Sequence, residues 1–181
     1  METTAVPLAL VIIAGPQASG KSALASALGV ELRRRGERVA VVELDQIAAM
    51  ALPTLPSWEA AHRIFEVTVG LWARTDLTCV IAEGSGSANE VARLRAQATD
   101  DAAVIVVAIT TSFDTAFARA QSDPTRGISK EHAFLSDVYQ HWTDELVRIE
   151  PDLLIDTDQV TVDQGVQRVH SAAEAARHRG D

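Results

Sequence analysis

The chain has 181 residues, of which 47% are hydrophobic, 23% charged and 4% aromatic. That length and balance suit one domain with a real core, and they exclude disordered, collagen-like, coiled-coil and disulfide-scaffold classes. The formal net charge is −9, from 25 acids against 16 bases, which argues against a general binder of nucleic acid or of an anionic membrane surface.

The segment Met1–Ala14 is apolar from Val6 onward but lacks the positive leading region of a signal peptide. No apolar run approaches the ~18 residues of a spanning helix. A cytoplasmic protein is expected, and the lone cysteine, Cys79, reads as a buried thiol compatible with a reducing compartment. Leu8–Ala14 is a continuous apolar run, the pattern of a strand covered on both faces. Lys21–Arg35 predicts a helix with Leu24, Leu28 and Leu32 on one stripe and Gly36 behind it. Val39–Leu44 predicts a second strand. Ser57–Arg74 predicts a helix whose inward face is Ala61, Ile64, Phe65, Thr68, Leu71 and Trp72, and Thr78–Ala82 a third strand.

Ser87 and Glu90 have capping-box spacing and open a short helix to about Ala98. Ala103–Thr110 predicts a fourth strand, and Thr111 with Asp114 the start of a helix. Ser129 opens a longer helix to about Ile149, with Leu135, Val138, Trp142 and Leu146 inward. Leu153–Ile155 is a fifth strand and Thr161–Arg177 a closing helix. Trp58, Trp72 and Trp142 fall at apolar helix positions and are expected in the core. Strands alternating with helices predict βαβ units and a parallel sheet.

Gly15-Pro16-Gln17-Ala18-Ser19-Gly20-Lys21-Ser22 fits the phosphate-loop pattern, with a buried strand before it and a helix opening at its end. Its glycines let the backbone curl so that amide N–H groups point inward, and the helix N-terminus adds positive potential. Lys21 would reach the β- and γ-phosphates of ATP, and the Ser22 hydroxyl would ligate Mg²⁺. Glu43 and Asp45 end the second strand, and their spacing puts both carboxylates on one strand face. Ligands of an open α/β sheet sit at the carboxyl ends of its strands. Asp45 is therefore expected as a general base and Glu43 as a metal or structural group; the alternative for Asp45 is an N-cap.

Glu83 ends the third strand before Gly84-Ser85-Gly86-Ser87, an apolar strand with a terminal acid that would stand near Mg²⁺ or the acceptor. Arg119 and Arg126 flank a polar loop and suit a lid whose guanidinium groups stabilise a transferring phosphoryl group. Asp156 and Thr157 follow the fifth strand and would border the nucleotide. Arg33, Arg34, Arg35 and Arg38 read as a solvated helix end. His62, His132, His141, His170 and His178 show no metal-ligand spacing.

This combination resembles the P-loop small-molecule kinases of the shikimate kinase, chloramphenicol phosphotransferase and zeta toxin group, over nearly the whole chain. Glu43-x-Asp45 resembles the paired acids of shikimate kinase, and Asp45–Met50 followed by Pro53 the stretch after the base of chloramphenicol phosphotransferase. Ile81–Ser85 looks like the acceptor-contacting segment of zeta toxins, with Ala82 interrupting the match. Thr125–His132 is similar to their arginine-bearing lid, and Arg119 matches their upstream arginine across a shorter connection. Leu154–Thr157 is similar to the stretch before the adenine-contacting loop. The resemblance implies an α/β, three-layer α/β/α P-loop fold with a five-stranded parallel sheet in the order 2-3-1-4-5. It implies one domain over 1–181, a short lid over about 119–130 and an acceptor-binding region over about 46–75 and 83–90.

Three functions follow. The first is an ATP- and Mg²⁺-dependent phosphotransferase acting on a hydroxyl of a small molecule such as an antibiotic, sugar or nucleoside. Asp45, Lys21, Arg126 and Arg119 would be its catalytic groups, and Glu83, Gly84, Ser85 and Arg63 would bind the acceptor. The apolar character of Ile47, Met50, Leu52, Leu55 and Trp58, with only Arg63 and Arg74 as bases in that stretch, favours a neutral acceptor. The second is a zeta-like nucleotide-sugar kinase with an antitoxin partner. The third is a nucleotide switch without phosphotransfer, which has no use for an acceptor base. A polynucleotide 5′-kinase fits poorly with the −9 charge.

Overall fold

In the computed structural model, which describes residues 6–179, the run Ala9–Ala14 forms β1, and every one of its residues is buried. The other strands are β2 (Val39–Glu43), β3 (Cys79–Glu83), β4 (Ala103–Thr110) and β5 (Leu153–Asp156). All neighbours pair in parallel, in the order β2-β3-β1-β4-β5. The continuous apolar runs of β1 and β3 are explained by helices on both faces, which leave no solvated side for polar residues.

One layer packs on Val11, Ile13, Ile81 and Ile109 and contains α1 (Lys21–Arg34) and α7 (Val162–Arg177). The opposite layer packs on Leu10, Ile12, Val80 and Val106 and contains α3 (Trp58–Trp72), α4 (Ala88–Arg95) and α6 (His132–Ile149). Helix α5 (Phe113–Ser122) joins α6 through Ala116, Ala120 and Leu135, and Ala18 of the phosphate loop packs there too. Cys79 is buried, and desolvation pushes its thiol up to about 12. No described helix is long and apolar enough to cross a membrane. The part of the Met1–Ala14 reading that concerns residues 1–5 lies outside the described residues.

Several local expectations need correction. Strand β2 stops at Glu43, and Leu44–Ala49 is a short helix, α2. Leu44 and Ala48 are buried and Ile47 packs beside them, so a 3.6-residue stripe starts where the strand was expected to end. Asp45 therefore sits in a helix first turn and not on a strand face with Glu43.

The inward face of α3 is also rotated. Ala61, Phe65 and Val69 are buried, whereas Ile64, Leu71 and Trp72 are exposed. The helix carries apolar residues on both sides, so periodicity alone could not choose between them. Two polar pairs with α4 fix the choice: Arg93 Nε donates to Glu66 Oε1 at 2.6 Å, and His62 Nδ1 meets Glu90 Oε2 at 2.5 Å. Third, only Trp142 is a core tryptophan; Trp58 and Trp72 are 53% and 46% exposed.

The helix after Ser87 is half of the expected capping box. Ser87 Oγ accepts from the Glu90 amide at 3.2 Å, but the Glu90 side chain turns elsewhere. The full capping box is at the start of α7, between Thr161 and Gln164.

Candidate active site

The phosphate loop turns between β1 and α1 through two positive-φ residues, Ala18 at 60° and Gly20 at 104°. Gly15 has no room for a side chain, since a Cβ there would lie 2.8 Å from the Ile109 carbonyl oxygen. Ser19 Oγ donates to the Pro16 carbonyl at 2.8 Å and Lys21 Nζ donates to the same oxygen at 3.0 Å, which closes the loop on itself. Tyr139 of α6 donates to the Gln17 carbonyl at 3.0 Å, and Thr157 donates to the Ser19 carbonyl at 2.9 Å. Helix α1 begins at Lys21 with no side-chain cap. Its first amides are thereby left for a ligand.

Glu83, at the end of β3, points its carboxylate at this loop. Its Oε2 accepts from Ser22 Oγ at 3.4 Å, and its Oε1 is 3.8 Å from Lys21 Nζ. Burial pushes the Glu83 carboxyl up from its ordinary 4.5 to about 7; Lys21 opposes the shift, and the charges of Asp45 and Glu43 add to it. Burial likewise pushes the Lys21 ammonium down. Asp45 acts electrostatically on both groups, and Arg126 acts on Lys21.

The sign of the Glu83 shift carries a prediction. Between 4.5 and about 7 the folded chain holds a proton that the unfolded chain releases. The contribution of this group to stability is full below 4.5 and is lost as pH rises through about 7. Glu83→Gln is expected to remove about 1–2 kcal/mol from the change in unfolding free energy between about pH 5 and pH 8, read by urea titration of both proteins. An unchanged pH profile in the variant would refute the buried, proton-holding state.

A cavity of about 190 Å³ lies over the loop, with Gly20, Lys21, Ser22, Asp45, Glu83 and Arg126 among its walls. A larger cavity of about 630 Å³ shares Lys21, Asp45, Glu83 and Arg126 with it and extends to Trp58, His62, Ser85 and Val138. On the other side of the loop, Leu24, Ile155, Val160 and Gly165 help line an apolar cavity of about 390 Å³.

Most of the predicted residues converge here. Asp45, Glu83, Gly84, Ser85 and Arg126 line the large cavity with Pro16, Gln17 and Lys21. Arg119 Nη1 donates to the Ser19 carbonyl at 3.2 Å and to Thr157 Oγ1 at 2.9 Å, so it braces the far side of the loop. Thr157 lines the apolar cavity. Asp156 faces its own turn, its Oδ1 accepting from the Asp158 amide at 2.9 Å. Asp158 caps the β4–α5 turn through Thr111 and Ser112, and those bonds hold its carboxyl well below the usual range.

Besides Asp156, two expected site residues are not brought in. Glu43 is the N-cap of α2 and lies outside the lining of these cavities; burial and the Asp45 charge raise its pKa. Arg63 is exposed on α3, and its neighbour His62 takes the place in the cavity. The expected apolar wall is reduced to Trp58, because Met50 and Leu52 are exposed and Ile47 packs into the core. Sequence reasoning missed Glu90 and His62. Glu90 is buried and its Oε1 accepts from the Ser85 amide at 2.7 Å, from Ser85 Oγ at 3.2 Å and from the Gly86 amide at 3.3 Å. The available signal was a charged residue at a helix position facing the apolar stripe, which demands a partner.

Solved structures of known proteins share this architecture. The chain is similar to APS kinase from Mycobacterium tuberculosis in complex with AMPPNP and APS, with a TM-score of 0.68 and 20% identity over 93% of this chain and 98% of that one. It is similar to shikimate kinase from Bacteroides thetaiotaomicron, with a TM-score of 0.67 and 16% identity over 92% and 98%. Shikimate kinase from Acinetobacter baumannii in complex with shikimate gives a TM-score of 0.66 and 17% identity over 94% and 95%. No family model and no curated protein matches the sequence. At these identities the likeness is one of fold, the three-layer α/β/α P-loop arrangement around the 2-3-1-4-5 sheet.

Proposed function

We propose that the chain is an ATP-dependent phosphotransferase that moves the γ-phosphate to a hydroxyl of a small molecule. The observation that carries this reading is the convergence of Lys21, Ser22, Glu83, Asp45 and Arg126 on one phosphate-sized cavity that opens into a second, larger one. A nucleotide switch has no use for the second cavity with a carboxylate at its mouth. The names of the structural neighbours, shikimate kinase and APS kinase, support the same class.

In this reading the uncapped start of α1 and the loop amides bind the phosphates, and the apolar cavity beside Thr157 takes the nucleoside. Ser22 and Glu83 are the residues fit to hold Mg²⁺, a hard cation that takes oxygen ligands. The metal neutralises charge on the β- and γ-phosphates when bound. Glu83 thus replaces Glu43 in the role the sequence suggested. Asp45 accepts the acceptor's hydroxyl proton as its oxygen bonds to the γ-phosphorus and the bond to ADP breaks. Lys21 and Arg126 hold the phosphoryl oxygens in transit. Arg119 and Thr157 keep the loop in shape.

The test is ADP release from the protein with Mg²⁺-ATP, alone and with antibiotics, nucleosides, sugars and UDP-sugars as acceptors. One acceptor raising turnover well above the basal rate is expected. A UDP-sugar as the sole active member would favour the zeta-like alternative and its antitoxin partner. ATP binding with no acceptor effect across the panel would move the reading to the switch.

A further inference from the structure

We infer that His62, held by Glu90, takes a hydrogen bond from a second hydroxyl of the acceptor, so that the acceptor is a neutral diol or polyol rather than a phosphate- or carboxylate-bearing alcohol. The inference rests on the phosphotransferase reading and adds the substrate class to it.

The tautomer follows from the donors around Glu90. Its Oε1 accepts from the Ser85 amide, the Ser85 hydroxyl and the Gly86 amide, and its Oε2 is 2.5 Å from His62 Nδ1. Oε1 already serves three donors, and with Oε2 accepting as well the proton of that last contact lies on Nδ1. In that tautomer Nε2 keeps its lone pair for a ligand. His62 lines the large cavity with Asp45 and Trp58. Glu90 is buried, and the same carboxylate holds the 84–86 loop, so the ring is fixed against the floor of the cavity.

The charge inventory of the cavity favours a neutral acceptor over an anionic one. Its basic residues other than His62 are Lys21 and Arg126, and both also line the phosphate cavity. The remaining charged residues, Asp45, Glu83 and Asp123, are acids. A carboxylate or phosphate on the acceptor would face these acids with no guanidinium of its own. Asp45 and His62 Nε2 are both hydrogen-bond acceptors, and two hydroxyl donors on one small molecule satisfy both. One hydroxyl gives its proton to Asp45 and receives the phosphoryl group; the other donates to Nε2 and stays intact. Trp58, with Leu44 and Val138, supplies an apolar wall for the C–H face of a ring.

The first measurement is a long-range ¹H–¹⁵N spectrum of histidine-labelled protein, with His62→Gln to identify the signal. The expected result is a proton on Nδ1 and none on Nε2, with tautomer exchange in Glu90→Gln. A protonated Nε2 at neutral pH overturns the proposal. The second uses hexoses, inositols and nucleosides, each matched to its phosphate or its acid. In titrations the Nε2 signal is expected to move with a neutral member and not with its anionic match. In ADP release, His62→Gln is expected to raise the KM of the active polyol at least tenfold while the KM for ATP stays within twofold. Preference for an anionic member, no shift with any neutral one, or an unchanged polyol KM in His62→Gln each overturns it. Neutral polyols moving the Nε2 signal without ADP release would sink the phosphotransferase reading and leave the polyol site standing.

Discussion

Asparagine at position 45 is expected to lower kcat about 10²–10⁴-fold, the range for losing a positioned general base, while the Kd for ATP stays within twofold. Asp45 is the exposed carboxylate that lines both the phosphate cavity and the acceptor cavity. Its side chain is in the first turn of α2. The amide of asparagine keeps the size and one acceptor oxygen but cannot take a proton, so binding survives and proton transfer does not. Single-turnover phosphate transfer and ATP titration, run side by side, separate the two quantities. A parallel loss of ATP affinity would make Asp45 a phosphate-cavity organiser through its charge on Lys21 and Glu83. An unaltered kcat would pass the proton to another group and remove Asp45 from the chemistry.

How much of this was legible depended on whether the signal was local. The phosphate loop and the buried β1 follow from motif and run, which are local, whereas the strand order is implied only by the resemblance to the shikimate kinase group. The reading around Asp45 went astray because Leu44 serves two patterns, as the apolar end of a strand and as the first inward residue of a helix. Helix α3 went astray for a similar reason: Ile64 and Phe65 are adjacent and both apolar, and the sequence does not say which faces the sheet. The answer lies in Glu66–Arg93 and His62–Glu90, pairs separated by 27 and 28 residues. Long-range polar partners of this kind are invisible to a windowed pattern. Glu90 shows it most clearly. Its spacing from Ser87 reads as a capping box, but the carboxylate is drawn to the Ser85 and Gly86 amides and to a histidine on another helix. The same carboxylate that the pattern assigned to helix capping therefore shapes the acceptor site.

Alanine at position 86 is expected to cost about 2–4 kcal/mol of stability, from a positive-φ penalty of about 1–2 kcal/mol and an overpacking term of similar size, and to weaken ATP binding at least tenfold. Gly86 has φ 88°, and a Cβ there would lie 2.6 Å from the Gly15 amide nitrogen and 3.1 Å from Trp142 Cζ3. Neither neighbour can retreat. Gly15 is backed by the Ile109 carbonyl, 2.8 Å from where its own Cβ would stand, and Trp142 is buried in the core. The first residue of the phosphate loop is thus clamped between β4 and the 84–87 loop, and a methyl on Gly86 must displace it. Gly36 provides the internal control: its φ is 90°, and nothing lies within 4 Å of a Cβ there. Gly36→Ala carries the backbone penalty alone, so the difference between the two variants in urea unfolding isolates the contact. The ATP effect should appear only in Gly86→Ala, because only that methyl reaches the loop that binds phosphate. Equal destabilisation in both variants, with ATP affinity intact, would mean that the 84–87 loop and the phosphate loop are mechanically independent. The larger loss in Gly86→Ala would tie them together: the residues that shape the acceptor site, Glu90 and Gly86, also hold the start of the phosphate loop in register.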